Sequence, residues 1–152
     1  MLLGAALQEL KILKSKLVRL YQLRENTFNV LENRDIEVDF DTVTAEINGL
    51  IQKIRALKVK IIKTNAQTLI NVRGSHIPIM ELILTIGDLR SELSQYTTLR
   101  RRGPVYLGGQ AVEYISQKNQ NEVAQTIALL EEEKAAYDKI LQSNNWKTEL
   151  LE

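Results

Sequence analysis

Apolar residues at alternating three- and four-residue spacing recur in four long segments separated by short turn-rich stretches, a period that turns one side of a helix toward a neighbour. In the first segment Leu3, Leu7, Leu10, Leu17, Tyr21, Phe28 and Leu31 follow this period, and Leu13, Leu20 and Leu23 widen the stripe beyond a single seam. The spacing predicts a helix from about Leu2 to Glu32 whose broad face touches two neighbours. Lys11, Lys14, Lys16, Arg19 and Arg24 decorate the rest of its surface, with Lys14 snorkelling from the stripe's edge.

From Asn33 to Phe40 the period breaks, and Ile36, Val38 and Phe40 alternate with Glu37 and Asp39 as a short extended piece would. Asp39 or Asp41 then suits an N-cap, its carboxylate taking orphan backbone N–H groups. The second helix carries Val43, Ile47, Leu50, Ile54, Leu57 and Ile61, the cleanest heptad run in the chain, with Gly49 as its one weak point. Leu69-Ile70-Asn71-Val72 and Ser75-His76-Ile77 flank Arg73-Gly74 and predict a small β-hairpin, Gly74 supplying the positive φ of a tight turn. Pro78 suits the first turn of a third helix on Ile79, Leu82, Ile86, Leu89, Leu93 and Tyr96, ending near Arg102. Gly103-Pro104 stops it, and Val105 to Gly109 reads as an irregular linker. A fourth helix holds Val123, Ile127, Leu130, Tyr137 and Leu141 and ends near Asn144-Asn145. The fold expected is all-α: one domain over residues 1–152, four long helices in an antiparallel bundle with a hairpin-like turn at Arg73-Gly74. Antiparallel neighbours would bring Ile36 to Phe40 and Val105 to Leu107 to one end of the bundle, placed to pair as a ribbon.

Composition narrows the function classes. Twenty Lys and Arg face 19 Asp and Glu, a formal charge of +1, so no global field draws the chain to nucleic acid or anionic lipid. The absence of Cys removes disulfides, thiolate metal sites and cysteine nucleophiles and leaves the redox compartment open, with the cytoplasm as the default expectation. The opening Met1 to Leu7 has no basic leader and meets Gln8, Glu9 and Lys11 before an export-length apolar core forms. The most apolar stretch, Ile77 to Ile86, is interrupted by Pro78 and Glu81 and is too short to span a bilayer, which predicts a soluble protein.

The candidate chemistry is sparse. His76 is the only histidine and lies in the hairpin, so imidazole catalysis or zinc would rest on it alone; a structural or surface role is the expectation. Bundle metal sites use inward carboxylates with Glu-x-x-His, and that motif is absent. Glu131-Glu132-Glu133 fans around its helix as a solvated face, and no facing Glu-x-x-Glu pairs support a magnesium-dependent nucleotide hydrolase. Arg100-Arg101-Arg102 is the densest charge cluster, read as the last helical turn complementing the macrodipole in preference to a phosphate grip. Gly108-Gly109 lacks the Lys-Ser/Thr of a phosphate cradle. No catalytic residue, metal or cofactor is expected. The remaining oddities are polar or aromatic groups beside apolar stripes: Thr64, Asn65, Asp88, Tyr137, Asp138, Asn145 and Trp146. Capping and buried hydrogen bonding are their ordinary roles.

These residues also carry a resemblance. Ile61 to Thr68, Gly74, Asp88-Leu89-Arg90, Asp138 and Leu141 to Leu150, with the leucine repeat of Met1 to Leu17, are similar to the septicolysin-like family of small bacterial helical proteins. The similarity covers roughly two-thirds of the chain and departs from the family at Ile62, Asn33 to Phe40 and Arg101 to Lys118. It implies an all-α fold and self-association, and attaches no biochemical activity. The family's name implies membrane activity, but a pore former needs a spanning apolar segment or a long alternating hairpin, and the chain carries neither. The reading is a non-catalytic binding or structural protein, at least a dimer, with a small molecule or a protein as further partner and neither nucleic acid nor membrane. Its rivals are a ligand or enzymatic pocket built from Asn65, Asp88, Tyr137, Asp138, Asn145 and Trp146, and a membrane-active protein. Trp146 either folds back over the core or lines an interface or pocket.

Overall fold

A computed structural model describes residues Met1–Glu152. In chain order it contains α1 (Leu3–Thr27), α2 (Phe40–Gln67), β1 (Leu69–Val72), β2 (Ser75–Pro78), α3 (Ile79–Thr97), β3 (Val105–Leu107), β4 (Gln110–Val112) and α4 (Gln120–Asn145). The protein is mostly helical with two antiparallel hairpins: β1–β2 is the one expected at Arg73-Gly74, and β3–β4 is a second that the all-α expectation did not contain. The chain forms two compact units, one of Met1–Met80 with Gln142–Glu152, the other of Glu81–Leu141.

In the first unit α1 and α2 pack as an antiparallel pair. The α2 heptad positions Val43, Ile47, Leu50 and Ile54 are buried with Leu20 of α1, and Leu10, Leu13, Leu17, Val38 and Ile51 pack against them. Each fully buried side chain of this kind contributes about 1.5–3 kcal/mol, so burial in this seam is the main attraction between the two helices. At its start α2 is capped by Asp39: Oδ2 accepts from the Thr42 hydroxyl at 2.7 Å and the Thr42 backbone N–H at 2.8 Å. Those bonds favour the ionised form and hold the Asp39 carboxyl below its ordinary value of 3.8. α1 stops at Thr27, short of the expected Glu32, where the Thr27 hydroxyl turns back to the Leu23 carbonyl at 2.7 Å. Residues 28–39 form bends and turns in place of the expected extended piece, and Phe28, Leu31 and Ile36 stay exposed. Leu7, Tyr21 and Leu23 are also exposed, so part of the broad α1 stripe is incompletely covered within the chain.

The expected hairpin follows α2. Leu69↔Pro78, Ile70↔Ile77, Asn71↔His76 and Val72↔Ser75 are paired, and both turn residues, Arg73 and Gly74, have positive φ, the geometry a right-twisted two-residue hairpin needs. Ile70 and Val72 are buried while His76 is exposed, so the lone histidine is a surface residue. Pro78 closes β2 and α3 starts at Ile79, one residue later than a first-turn proline implies.

In the second unit α3 ends at Thr97, where the Thr97 and Thr98 hydroxyls donate to the Ser94 and Gln95 carbonyls. Arg100, Arg101 and Arg102 therefore lie beyond the helix and do not serve its last turn, which corrects the macrodipole expectation. Val105 to Leu107 is no linker and does not pair with Ile36 to Phe40. It turns at Gly108-Gly109, both at positive φ, and pairs with its own continuation as Val105↔Val112, Tyr106↔Ala111 and Leu107↔Gln110. A capping box opens α4: the Asn119 N–H donates to Glu122 Oε2 at 2.9 Å and the Glu122 N–H donates to Asn119 Oδ1 at 2.8 Å.

Candidate functional site

The most elaborated polar spot of the first unit lies where both ends of the chain meet the end of α2. Leu2 and Glu149 form an antiparallel bridge, the Leu3 N–H donates to the Thr148 carbonyl at 2.8 Å, and the Leu150 N–H donates to the Met1 carbonyl at 2.7 Å. Thr64, fully buried, links this ribbon to α2: its hydroxyl donates to the Lys60 carbonyl at 2.8 Å and accepts the Leu151 N–H at 2.9 Å. Trp146 lies against Gly4, and a Cβ built on Gly4 would stand 2.7 Å from the indole Cδ2. The ring is folded back on its own chain, as the core-covering role requires, yet the residue remains 48% exposed.

Of the six candidate site residues, Asn65, Asn145 and Trp146 belong to this unit, and Asp88, Tyr137 and Asp138 to the other. Asn65 and Asn145 are both buried, and Asn65 Oδ1 accepts no hydrogen bond. A buried amide oxygen left unpaired costs about 1–3 kcal/mol. Asp88 is exposed, Tyr137 is half-buried, and Asp138 Oδ2 accepts from Lys134 Nζ at 2.7 Å across one helical turn. No three His, Cys, Asp or Glu side chains converge closely enough to hold a metal ion.

Sequence reasoning missed the root of the β3–β4 hairpin, where Arg102 stacks its guanidinium 5.6 Å from the Tyr114 ring centroid. A groove of about 370 Å³ beside it is lined by Arg101, Glu113, Tyr114, Ile115, Lys118 and Asn119 among others. The signal was the Gly108-Gly109 pair between two short apolar runs. Gly4, the seat of Trp146, was also missed; a glycine in the first turn of a leucine-rich helix marks a close approach.

The architecture defines a class: a mostly helical protein of four helices and two small hairpins, with no helix long and apolar enough to cross a membrane. The chain belongs to a family of unknown function (DUF6847), which residues 11–150 match. Its fold is shared by the crystal structure of a functionally unknown conserved protein from Corynebacterium diphtheriae, with a TM-score of 0.82 and 19% identity over 99% of each chain. No curated protein matches it.

Proposed function

We propose that this chain is a non-catalytic cytoplasmic protein that works as a homo-oligomer, at least a dimer, whose helices form an antiparallel bundle completed between copies. One quantity carries the reading. The chain exposes 11463 Å², whereas two independent monomeric domains of these sizes would together expose about 9,400 Å². The surplus of about 2,000 Å² on one chain exceeds the roughly 800 Å² that each partner contributes to a standard interface, so one copy has surface enough to cover another. Every helix contributes to it, with Ile12 and Val18 on α1, Val59 and Ile62 on α2, Leu84 on α3 and Leu129 on α4 all exposed. Light scattering on the purified chain should return at least twice its 17.4 kDa mass. A monomer at high protein concentration defeats the proposal.

A second reading, a small-molecule site near the end of α2, is favoured by the unpaired Asn65 Oδ1. Such a ligand would donate a hydrogen bond to that oxygen and bury an apolar part beside it. Native mass spectrometry should show a bound small molecule that is lost in Asn65→Leu; an identical mass profile for both proteins removes this reading.

A further inference from the structure

α1 carries two seams, and the chain covers only one of them. Leu10, Leu13, Leu17 and Leu20 pack on α2. About a quarter-turn around the helix run Leu7, Lys11, Lys14, Val18, Tyr21, Glu25 and Phe28, alternately four and three residues apart as in a helix-pairing seam. Phe28 keeps helical dihedrals at the C-cap, so the stripe is unbroken over about 32 Å at about 1.5 Å per residue. All of these residues are exposed, Phe28 to 65% and Val18 to 53%. Two grooves lie end to end along the stripe. The first, of about 400 Å³, is lined by Leu7, Leu10, Lys11, Lys14, Ser15 and Val18. The second, of about 410 Å³, is lined by Tyr21, Arg24, Glu25, Phe28, Asn29 and Phe40.

Charge is unequally distributed along this stripe. Its first half holds Lys11 and Lys14, its second half holds Glu25, and none of the three has an ion-pair partner within the chain. Arg24, at the edge of the second groove, is already engaged. Its guanidinium lies 5.6 Å from the Tyr21 ring centroid and 5.7 Å from that of Phe40, and it donates to the Thr44 hydroxyl at 3.3 Å. A cationic half followed by an anionic half complements its own reverse. Laid parallel, two such stripes set Lys11 on Lys11, Lys14 on Lys14 and Glu25 on Glu25, and every charged contact is repulsive. Laid antiparallel, one register sets Val18 on Tyr21, Lys14 on Glu25 and Lys11 on Phe28. Sliding by one seam step either way puts Glu25 on Leu7 or on Tyr21 instead. Only the first of these registers gives the carboxylate a cation, and it also brings the Lys11 ammonium to an aromatic ring.

We propose that α1 pairs antiparallel with α1 of a second copy along this stripe, the twofold axis passing between Val18 and Tyr21. The inference rests on the dimer reading above and deepens it by naming the interface. The contact is isologous, so each copy gives Lys14 to the other's Glu25 and the assembly closes at two. With α2 on the far side of each α1, the two copies together form a four-helix antiparallel set in the order α2, α1, α1, α2. The grooves close on each other, the lysine-lined one of each copy on the aromatic one of its mate. Burial of Val18, Tyr21 and Phe28 supplies the affinity, and the lysine–carboxylate pairs fix direction and register.

The test is the dimer affinity of the full chain, read by sedimentation across a dilution series, with far-ultraviolet circular dichroism checking the fold of each variant. Lys14→Glu and Glu25→Lys should each weaken the dimer about tenfold or more, because either change turns two attractive contacts into two repulsive ones. Lys14→Glu/Glu25→Lys should regain the wild-type affinity. Residues 14 and 25 stand about 16 Å apart along one helix, so no contact within a chain can produce that rescue. The chain has no Cys, which lets the register be read independently. On oxidation, a mixture of Val18→Cys and Tyr21→Cys proteins should give more of a cross-linked product at twice the 17.4 kDa chain mass than either protein alone. A monomeric wild type overturns the dimer reading and this pairing with it. A dimeric wild type whose single reversals keep its affinity overturns the pairing alone. So does a double variant that fails to regain affinity, or a mixture that cross-links no better than its components.

Discussion

Replacing Gly4 by alanine tests the only glycine where an added Cβ would meet another side chain within 4 Å. The new Cβ would sit 2.7, 2.9 and 3.0 Å from Cδ2, Cε2 and Cε3 of Trp146, whereas carbons pack comfortably at about 3.5–4.0 Å. The helix backbone holds Gly4, so the indole must yield by about an ångström or leave. About half of the residue's surface is hidden in the native state, and half of the 150–250 Å² that such a side chain can bury is about 100 Å². At about 25 cal/mol per Å² the hidden part contributes about 2.5 kcal/mol, an upper limit on what displacement loses. Alanine is the better helix former by up to about 1 kcal/mol, which offsets part of this. The expected result is a net destabilisation of about 1–2 kcal/mol in urea unfolding followed by far-ultraviolet circular dichroism. In a Trp146→Ala background the clash is gone, and Gly4→Ala should become neutral or stabilising by up to about 1 kcal/mol. An equal cost of Gly4→Ala in both backgrounds would refute the argument, because the indole would then not be what alanine meets.

Trp146→Ala alone should lose up to about 2.5 kcal/mol of stability while the oligomer persists in light scattering, since the ring packs within its own chain. Ile54→Asp puts a carboxylate into the α1–α2 seam, where Ile54 is buried, and a loss of several kcal/mol is expected in the same unfolding assay. For Asp39 the folded carboxyl titrates below its ordinary value, held there by the Thr42 hydroxyl and backbone N–H. Its stabilising contribution is therefore complete above the unfolded value of 3.8 and disappears as pH falls through the lower folded value. Asp39→Asn keeps the cap but has no carboxylate, so thermal melts of the two proteins at pH 7 and in strong acid should show the smaller acid loss in the variant.

Local pattern was legible wherever the decisive interaction was local. The α2 heptad, the Asp39 cap and the Arg73-Gly74 turn depend on residues a few positions apart, and each lies where periodicity or turn chemistry puts it. The broad α1 stripe was visible too, but periodicity reports which residues are apolar and is silent on whether a neighbour covers them; Leu7 and Tyr21 are exposed. The β3–β4 hairpin was lost for a different reason. Three-residue strands are too short to show alternation, so Gly108-Gly109 read as a break where it is a turn. At the candidate site, Asn65, Asn145 and Trp146 stood out as polar or aromatic groups beside apolar stripes, and two of the three are buried. Their surroundings were not legible, because the Leu151–Thr64 bond and the Trp146–Gly4 contact join residues far apart in the chain.

That distance has a bearing on how the protein is made. Residues 142–152 complete a unit that begins with residues 1–80, and the whole of the other unit lies between them in the chain. On the ribosome, α1 and α2 are synthesised early, but Gly4 waits for Trp146 and the Thr64 hydroxyl waits for the Leu151 amide. At about 5–20 residues per second, the 61 residues between Met80 and Gln142 impose a delay of several seconds. During it the α1–α2 seam can form alone while the end that holds Asn65 stays open to water, to a chaperone or to another nascent chain. Residues 81–141 all leave the ribosome before residues 142–152 can join the first unit. A chain cut between Leu141 and Trp146 would thus keep every residue of the second unit and leave the first without its last tie to α2.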